Sequence, residues 1–382
     1  MHNFKKCWFK PLYFKKHCFE KLCFKKHSFR IICLILASMF VIDAYAITNA
    51  VNNTDNNTDN LIANEYYIPY NGQQIHLKEK KLSSSESRSG SRSKSRKVIV
   101  LINPLSIPAL SAFDVPGYSL MNDLAQNGYD VWGIDFIGEG KSTYPKTMNI
   151  SPAPIGTYPL SANQAVKQLH QAIDYISKQT GKHNVALLGW SWGSVVGAMY
   201  AIQNPHQINH LVLYGSMYSS QLQESIQPIF IKPFAANNGA FSESLPAYQN
   251  IAWQVINSHW HMMINGNTSI AEESAIDAVG KVYIEADPAP VMPNSLRRPM
   301  GPIKDLYSIW NGKPIYDISK LTVPTLVIYG DQDFFADHDL YNKLTNVKIK
   351  QKIELKQATH WLIYEKTRQQ FINDVVKFLN NI

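Results

Sequence analysis

The apolar residues of this chain follow two alternating patterns, which predict strands and helices in turn. Short, continuous apolar runs occur at 97–103, 129–135, 184–190 and 208–216. Such runs are typical of strands that are buried on both faces of a parallel sheet. The segment 161–181 instead spaces its apolar residues at helical intervals, which predicts a helix that begins after Ser161 and stops at Gly181.

This alternation stops near residue 216 and returns about a hundred residues later. It resumes with two strand-like runs and a closing helix, at 323–331, 351–357 and 362–380. Strands that alternate with helices form a parallel sheet with helices on both faces. We therefore predict an α/β fold with a mostly parallel central sheet, built from residues 65–215 and 321–382.

Residues 216–320, which interrupt the alternation, are irregular and rich in proline and aromatic side chains. Such an insertion after a strand is best interpreted as a cap over the carboxyl edge of the sheet, where open α/β sheets bind ligands. We therefore expect the binding site beneath this cap.

Ahead of the first buried run, the segment "EYYIPYNGQQIHLKE" predicts a hairpin that turns at Asn71-Gly72.

Two polar segments near the start of the chain have too few apolar residues to pack. The Asn/Asp/Thr-rich stretch 49–60 indicates a disordered tether, which we assign to residues 47–64. The Ser/Arg-rich stretch within 83–97 indicates a flexible surface loop of the core. Contact of this loop with an anionic surface is the alternative interpretation.

The first 46 residues have the three-part pattern of a secretory signal. A basic segment is followed by a 12-residue apolar run at 31–42 and by Ala44-Tyr45-Ala46, so cleavage is expected after Ala46. A membrane-spanning helix is the alternative, but it needs about 20 apolar residues. We therefore expect an exported protein, periplasmic or secreted, with no stable membrane span after cleavage.

Composition narrows the chemistry further. All four cysteines, at positions 7, 18, 23 and 33, precede the cleavage site, so the mature chain would have no disulfide, thiol nucleophile or cysteine-zinc site. The net charge of +8 also comes mainly from residues 1–46, which hold nine Lys/Arg and two Asp/Glu. Since the remainder is almost neutral, no phosphate-binding groove is implied and nucleic acid is not an expected partner.

The sequence Gly189-Trp190-Ser191-Trp192-Gly193 lies where a buried strand should end and a helix should begin. In that context G-x-S-x-G places the serine on a sharp, strained turn, and the glycines let strand and helix approach closely. The alternative is an ordinary turn serine with glycine neighbours. We predict Ser191 as a nucleophile.

A serine nucleophile needs a histidine base and a carboxylate that orients the base. On this architecture the acid and the histidine follow the serine in chain order. Asp333 and Asp331 both follow a strand end, and Asp333 is preferred because it lies clear of the strand. His360, between the last strand and the last helix, is the candidate base, whereas His259 and His261 suggest packing rather than a metal pair.

These segments resemble the α/β-hydrolase superfamily from about residue 65 to the end. "GIDFIGEGKS" at 133–142 is similar to the loop after the fourth strand, and "KLTVPTLVIYGDQD" at 320–333 to the strand that bears the acid. The segment 189–216 resembles the serine-aminopeptidase branch, which includes prolyl iminopeptidases. The resemblance implies an α/β-hydrolase fold with an inserted cap and a Ser-His-Asp triad, without a metal or an organic cofactor.

One loop departs from the family pattern. Members usually have His-Gly after the third strand, and iminopeptidases have His-Gly-Gly-Pro-Gly, whereas this chain has Asn103-Pro104-Leu105-Ser106. An oxyanion hole needs two backbone N–H donors. Trp192 supplies one, and because Pro104 has no N–H, the second must come from Leu105, our preferred candidate, or from Ser106. The departure counts against iminopeptidase activity.

Aromatic and methionine side chains are concentrated beside the nucleophile and in the cap, at Trp190, Trp192, Trp253, Trp260, Met262, Met263, Tyr283 and Trp310. Together they favour an apolar acyl or alkyl pocket over a sugar or phosphate site. Two sets of charged cap residues could contact a substrate: Glu272, Glu273 and Glu285 could bind an amine, and Arg297 and Arg298 could bind a carboxylate. For both sets, the interpretation that they do not contact substrate is favoured.

We therefore predict an exported serine hydrolase that cleaves a small-molecule or lipid-like ester or amide through an acyl-enzyme. Two alternatives within enzymes are acyl transfer to an acceptor other than water and cofactor-free peroxidase-type chemistry. A third alternative is an inactive binding protein that has kept the fold.

Overall fold

A computed structural model describes residues 60–83 and 96–381. The signal sequence, all four cysteines, the tether as far as residue 59 and most of the Ser/Arg-rich loop lie outside the described residues. Within the described ranges, no helix combines the length and the apolar character needed to cross a membrane.

The centre of the described chain is a sheet of eight strands in the order β1-β2-β4-β3-β5-β6-β9-β10. These strands are β1 (Leu61–Tyr70), β2 (Gln73–Leu82), β3 (Val98–Ile102), β4 (Asp130–Asp135), β5 (Val185–Trp190), β6 (Ile208–Tyr214), β9 (Thr325–Gly330) and β10 (Lys350–Leu355). The strands from β4 to β10 in this order pair in parallel, and β2 joins β4 antiparallel. The structure thereby confirms the predicted fold class.

Helices pack on both faces of this sheet. The α-helices of the described residues, including those of the insertion, are α1 (Ala109–Phe113), α2 (Leu120–Gln126), α3 (Ala162–Thr180), α4 (Trp192–Gln203), α5 (Gln227–Phe230), α6 (Trp253–Ile264), α7 (Glu273–Ile284), α8 (Gly301–Trp310), α9 (Leu340–Lys343) and α10 (Arg368–Asn380). The α3 helix begins at Ser161 with a capping box and ends at Gly181, which has a φ of 68°. Both boundaries agree with the sequence prediction.

The alternating side chains of each central strand belong to two separate cores. In β3, Val98, Val100 and Ile102 pack into the cluster on one face of the sheet, and Ile99 and Leu101 pack into the cluster on the other. Successive side chains of a strand point to opposite faces. Both faces are covered, and this explains why the central strands are continuously apolar in sequence.

The insertion after β6 contributes α5 to α8 and a separate two-stranded sheet of β7 (Tyr248–Ala252) and β8 (Ser295–Pro299). It is anchored to the core near the end of β10. The Trp260 ring stacks on Trp361 at a centroid distance of 5.1 Å, and its Nε1 donates to Glu365 Oε1 at 2.8 Å. Part of the insertion therefore packs against the loop that carries His360.

Two predicted boundaries were wrong. Residues 61–64, which we assigned to the tether, form the start of β1, because Leu61 pairs with Leu82 and the backbone of this segment is hydrogen-bonded to β2. The closing helix begins at Arg368 rather than at 362. Residues Leu362–Tyr364 form a buried 3₁₀ turn instead. The predicted hairpin is correct, since Asn71 and Gly72 connect β1 and β2 with φ values of 49° and 75°.

Candidate active site

Ser191 occupies a strained turn between β5 and α4. Its φ of 60° and ψ of −123° lie where side-chain-bearing residues are rare. The turn depends on the flanking glycines: a Cβ on Gly189 would lie 2.4 Å from the carbonyl oxygen of Gly193, and one on Gly193 would lie 2.3 Å from that of Ile102. The sequence therefore forms the sharp strand-to-helix corner that the G-x-S-x-G pattern predicts.

Asp333 and His360 are hydrogen-bonded to each other. His360 Nδ1 lies 2.7 Å from Asp333 Oδ2, and Asp333 is fully buried. The other carboxylate oxygen accepts the backbone N–H groups of Phe335 and Ala336 at 3.0 and 3.2 Å. These bonds fix the carboxylate on the histidine, which is the arrangement that orients an imidazole in a catalytic triad.

The competing carboxylate, Asp331, has a different environment. Its Oδ1 accepts the backbone N–H of Ala358 at 3.3 Å, and its Oδ2 lies 4.0 Å from Lys356 Nζ. The structure thus places Asp331 against the segment that follows β10 and brings Asp333, the preferred candidate, to His360.

Contacts around Tyr214 connect the Ser191 turn to His360. The Ser191 N–H donates to the Tyr214 carbonyl oxygen at 2.8 Å, and Tyr214 Oη donates to the His360 carbonyl oxygen at 2.7 Å. The ring of Trp190 lies 5.8 Å from the His360 ring, measured between centroids. Ser191 Oγ itself has no hydrogen-bond partner among the described residues, so its hydroxyl is available to rotate.

Glu365 holds the loop that precedes His360. Its carboxylate accepts the backbone N–H of Thr359 at 2.8 Å, the Thr359 hydroxyl, and Trp260 Nε1 at 2.8 Å. Burial raises the pKa of Glu365 to about 7, against these hydrogen bonds, which lower it. Sequence reasoning missed Glu365, because its partners come from the cap as well as from its own loop.

The two predicted oxyanion donors come from different elements, the start of α4 and the loop after β3. Trp192 is the first residue of α4, where a helix leaves N–H groups without an intrahelical acceptor. Leu105 lies in the loop after β3, between Pro104 and a buried Ser106 whose φ is 72°. Neither N–H donates a hydrogen bond to another residue in the described parts of the chain. Both N–H groups therefore lack an acceptor among the described residues, as the prediction of oxyanion donors requires.

Asn103 and Glu139 support that loop from behind. Asn103 Nδ2 donates to the Pro104 carbonyl oxygen at 3.0 Å and to Glu139 Oε2 at 2.8 Å. Glu139 is buried, and burial raises the pKa of its carboxyl to about 8, although the bond from Asn103 acts in the opposite direction. Glu139 belongs to the segment 133–142, which resembles the family pattern. The loop 103–106, which departs from that pattern, is therefore held in place by a segment that follows it.

The raised pKa of Glu139 predicts a pH-dependent effect on stability. In the folded state its carboxyl keeps a proton that the unfolded chain releases above about pH 4.5, so stability falls as the pH rises from about 4.5 to about 8. Glu139→Gln removes this cost. We expect the variant to exceed the wild type in free energy of unfolding by roughly 4 kcal/mol more at pH 8.5 than at pH 4.5.

Urea unfolding of both proteins at the two pH values measures this difference. Glu224→Gln, at an exposed position, is the matched control and should give no pH-dependent gain. An equal effect of Glu139→Gln at pH 4.5 and pH 8.5 would contradict the prediction.

A cavity of about 250 Å³ lies between the cap and the core and is bordered by Leu105 and His360. Its walls are mostly apolar, and they include Pro104, Leu105, Trp190, Phe230, Trp310 and His360. Of the aromatic residues singled out in the sequence, Trp190 and Trp310 line this cavity. Trp192, Trp260 and Tyr283 are buried elsewhere, and Met262 is exposed. The volume lies just below the usual range for ligand pockets, about 300 to 1,000 Å³.

The charged cap residues divide into two groups. Glu272, Glu273 and Glu285 are exposed, as the favoured interpretation required. Arg297 and Arg298 are both buried: Arg297 pairs with Asp287, whereas Arg298 lines the cavity. The polar groups that share its lining with His360 are Ser106, Gln249, His259 and Arg298.

The histidine pair of α6 is split between two environments. His259 lines the cavity and packs edge-on against Phe230 at a centroid distance of 4.7 Å, whereas His261 is exposed. Burial, and then the charge of Arg298, lowers the pKa of His259 to about 4, so its ring is neutral at pH 7. In the described part of the chain, no group of three or more His, Cys, Asp or Glu side chains is arranged to hold a metal ion.

Comparison with known proteins agrees with the fold. A family model described as the alpha/beta hydrolase fold matches residues 111–367. A search of curated proteins found no match.

Among solved structures, the thioesterase domain from the curacin biosynthetic pathway is similar, with a TM-score of 0.53 and 17% identity over 84% of this chain and 100% of that one. The enol-lactonase from Burkholderia xenovorans has a TM-score of 0.52 and 15% identity, over 83% of this chain and 100% of its own. A bromoperoxidase from Bacillus anthracis has a TM-score of 0.52 and 18% identity, with the same shares of the two chains. At these identities, the similarity shows the fold alone.

Proposed function

The chain belongs to the alpha/beta hydrolase fold family, and on that basis we propose that it is an exported serine hydrolase that cleaves an ester or amide bond through an acyl-enzyme on Ser191. The observation that carries this proposal is the strained serine turn after β5, joined through Tyr214 to a histidine that is hydrogen-bonded to a buried aspartate. Export rests on the sequence pattern of residues 1–46.

In this mechanism His360 takes the proton of the Ser191 hydroxyl as the oxygen attacks the substrate carbonyl. Asp333 holds the imidazole through Nδ1 and stabilises the imidazolium that forms. The N–H groups of Trp192 and Leu105 bind the oxyanion of the tetrahedral intermediate. His360 then returns the proton to the leaving group, and water releases the acyl group in a second, equivalent step.

The lining of the cavity supports a substrate with an apolar acyl or alkyl group. Aromatic and aliphatic side chains form most of its walls, and its small volume favours a short chain over a long lipid. Small-molecule esters are therefore the first substrates to test.

Labelling with a fluorophosphonate probe tests the proposal directly. The folded protein should be modified at Ser191, as identified by peptide mass spectrometry, because an activated serine hydroxyl attacks phosphorus as it attacks a carbonyl. The signal should disappear in Ser191→Ala, and heat-denatured protein is the negative control. Folded protein that remains unlabelled would contradict the proposed function.

An inactive binding protein is the second candidate. The observation that favours it is the unbonded Ser191 hydroxyl, beside a loop that lacks the His-Gly of the family. Catalytic hydrogen bonds often tighten only when substrate is present, so the same observation is compatible with an enzyme. Probe labelling separates the two. If labelling succeeds, adding an alcohol or amine and measuring the product ratio separates a hydrolase from an acyltransferase.

A further inference from the structure

Arg298, on β8, is a buried cation without a carboxylate partner. Its side chain is only 7% exposed and lines the cavity that His360 also borders. The two hydrogen bonds that it makes go to neutral groups: Nη1 donates to Ser106 Oγ at 3.2 Å, and Nη2 donates to Gln249 Oε1 at 2.5 Å. Nε has no partner. Because a guanidinium has five N–H donors, three remain unused.

The neighbouring Arg297, by contrast, is paired with a carboxylate. Successive residues of a strand face opposite ways, and Arg297 faces Asp287. Its Nε and Nη2 donate to the two carboxylate oxygens at 2.8 and 2.6 Å, and its guanidinium stacks on Tyr144. No described Asp or Glu makes such an ion pair with Arg298, which nevertheless stays protonated at pH 7, since burial lowers its pKa only to about 10.

Glu139, a buried carboxyl near Arg298, does not supply the missing negative charge. Glu139 borders a small crevice that Arg298 and Ser106 also border, but it bonds to Asn103 instead. Its pKa of about 8 keeps it mostly protonated at neutral pH. His259, in the same cavity, is neutral. Among the described residues that line the cavity, Arg298 is the one Arg, Lys, Asp or Glu.

We propose that Arg298 is an anion-binding residue of this cavity and that the substrate has a carboxylate close to the bond that is cleaved. A buried charge without a partner destabilises a fold, so a ligand that supplies the opposite charge gains both a charge-assisted hydrogen bond and the relief of that cost. This inference rests on the proposed function, because it names the substrate class of the same site.

The dimensions of the site restrict that substrate. In a cavity of about 250 Å³, one small molecule reaches both Arg298 and His360. Arg298 is bonded to Ser106, which directly follows the oxyanion donor Leu105. The carboxylate is therefore expected only a few bonds from the reacting carbonyl, as in a short dicarboxylic monoester or an ester of a hydroxy acid.

Carboxylate binding can be measured without turnover. In a Ser191→Ala background, hexanoate should bind by isothermal titration calorimetry, whereas the uncharged, similarly shaped hexanamide should bind at least tenfold more weakly. Adding Arg298→Gln should remove the preference for hexanoate, because glutamine keeps a polar group beside Ser106 and Gln249 but has no charge. Lys281→Met, which removes an exposed cation of the cap, should leave the preference unchanged.

Equal binding of hexanoate and hexanamide, or a preference that survives Arg298→Gln, would overturn the proposal. Arg298→Lys is the second variant if glutamine prevents folding. It keeps the charge, so it should keep part of the preference. Because these measurements use a variant without the nucleophile, they succeed or fail independently of the proposed hydrolase function. Carboxylate binding together with failed probe labelling would identify a carboxylate-binding protein without hydrolase activity.

Turnover provides a second readout. Two pairs of esters place the carboxylate on opposite sides of the bond. The first pair is mono-4-nitrophenyl glutarate and 4-nitrophenyl pentanoate, and the second is the butanoyl ester of 5-hydroxy-2-nitrobenzoate and 4-nitrophenyl butanoate. In at least one pair, Arg298→Gln should lower the ratio of kcat/KM for the charged ester to that for the neutral ester by about a hundredfold. An equal loss for charged and neutral esters would show that Arg298 acts on the oxyanion or on the structure, and would overturn the proposal.

Discussion

Ser191→Ala is expected to lower kcat for 4-nitrophenyl butanoate by on the order of 10⁴- to 10⁶-fold. The substitution removes the only atom that can form the acyl-enzyme in the proposed mechanism, so His360 and Asp333 lose the group on which they act. The fold should survive, since alanine is no larger than serine and the backbone strain at φ 60° is similar for both. Initial rates at saturating ester, with thermal unfolding measured in parallel, check this prediction.

Ser194→Ala is the matched control for that variant. Ser194 is also buried, in the first turn of α4, and its Oγ donates to the Ser191 carbonyl oxygen and lies 2.8 Å from Ser216 Oγ. Its loss disturbs the same helix end but removes no reacting atom, so kcat should stay within about tenfold of the wild type. A comparable loss in both serine variants would mean that the first acts through the helix rather than through the chemistry.

Asp333→Asn is expected to lower kcat by about 10⁴-fold, the size of effect expected when a triad aspartate is replaced by its amide. Asparagine can keep the bonds from the N–H groups of Phe335 and Ala336. Its amide presents no negative charge to the imidazolium and can favour the wrong tautomer of His360. Probe labelling should slow together with kcat, since both reactions need the same activated hydroxyl.

Asp331→Asn separates the two carboxylates that follow β9. Asp331 accepts a hydrogen bond from the backbone N–H of Ala358, whereas the carboxylate bonded to His360 is that of Asp333. We expect its replacement to change kcat less than tenfold. If Asp331→Asn were the more damaging substitution, the assignment of the acid would be reversed, while the assignment of Ser191 would stand.

The serine and aspartate variants examine the chemical step, whereas the Arg298 variants examine which substrate reaches it. A protein that labels at Ser191 but shows no preference for carboxylates would keep the proposed mechanism and lose only the proposed substrate class. The two proposals therefore depend on different residues and fail separately.

The architecture could be predicted from the sequence alone, because it depends on local patterns of apolar and polar residues. Continuous apolar runs predict strands buried on both faces, and the structure shows why, since alternate residues of β3 enter different cores. The strained turn at Ser191 could also be predicted, because Gly189 and Gly193 are the residues that the close strand–helix approach requires. Chain order and distance from the strand end favoured Asp333 over Asp331, and His360 over the histidines of α6.

Where prediction failed, the deciding partner came from a distant part of the chain. Residues 61–64 directly follow the polar stretch 49–60 and were assigned to the tether with it, but they pair with β2 as a strand. Glu365 has no visible role in the sequence, because one of its donors, Trp260, belongs to the cap.

Only the tertiary structure distinguished Arg297 from Arg298. The two residues are adjacent, and the sequence gives no sign that Asp287 pairs with one of them while the other faces the cavity. The free energy of a buried charge depends on which groups surround it, and for Arg298 those groups include Ser106, which is 192 positions away in the chain. The candidate catalytic residues are thus readable from local sequence, whereas the charge that would select the substrate appears only after the chain has folded.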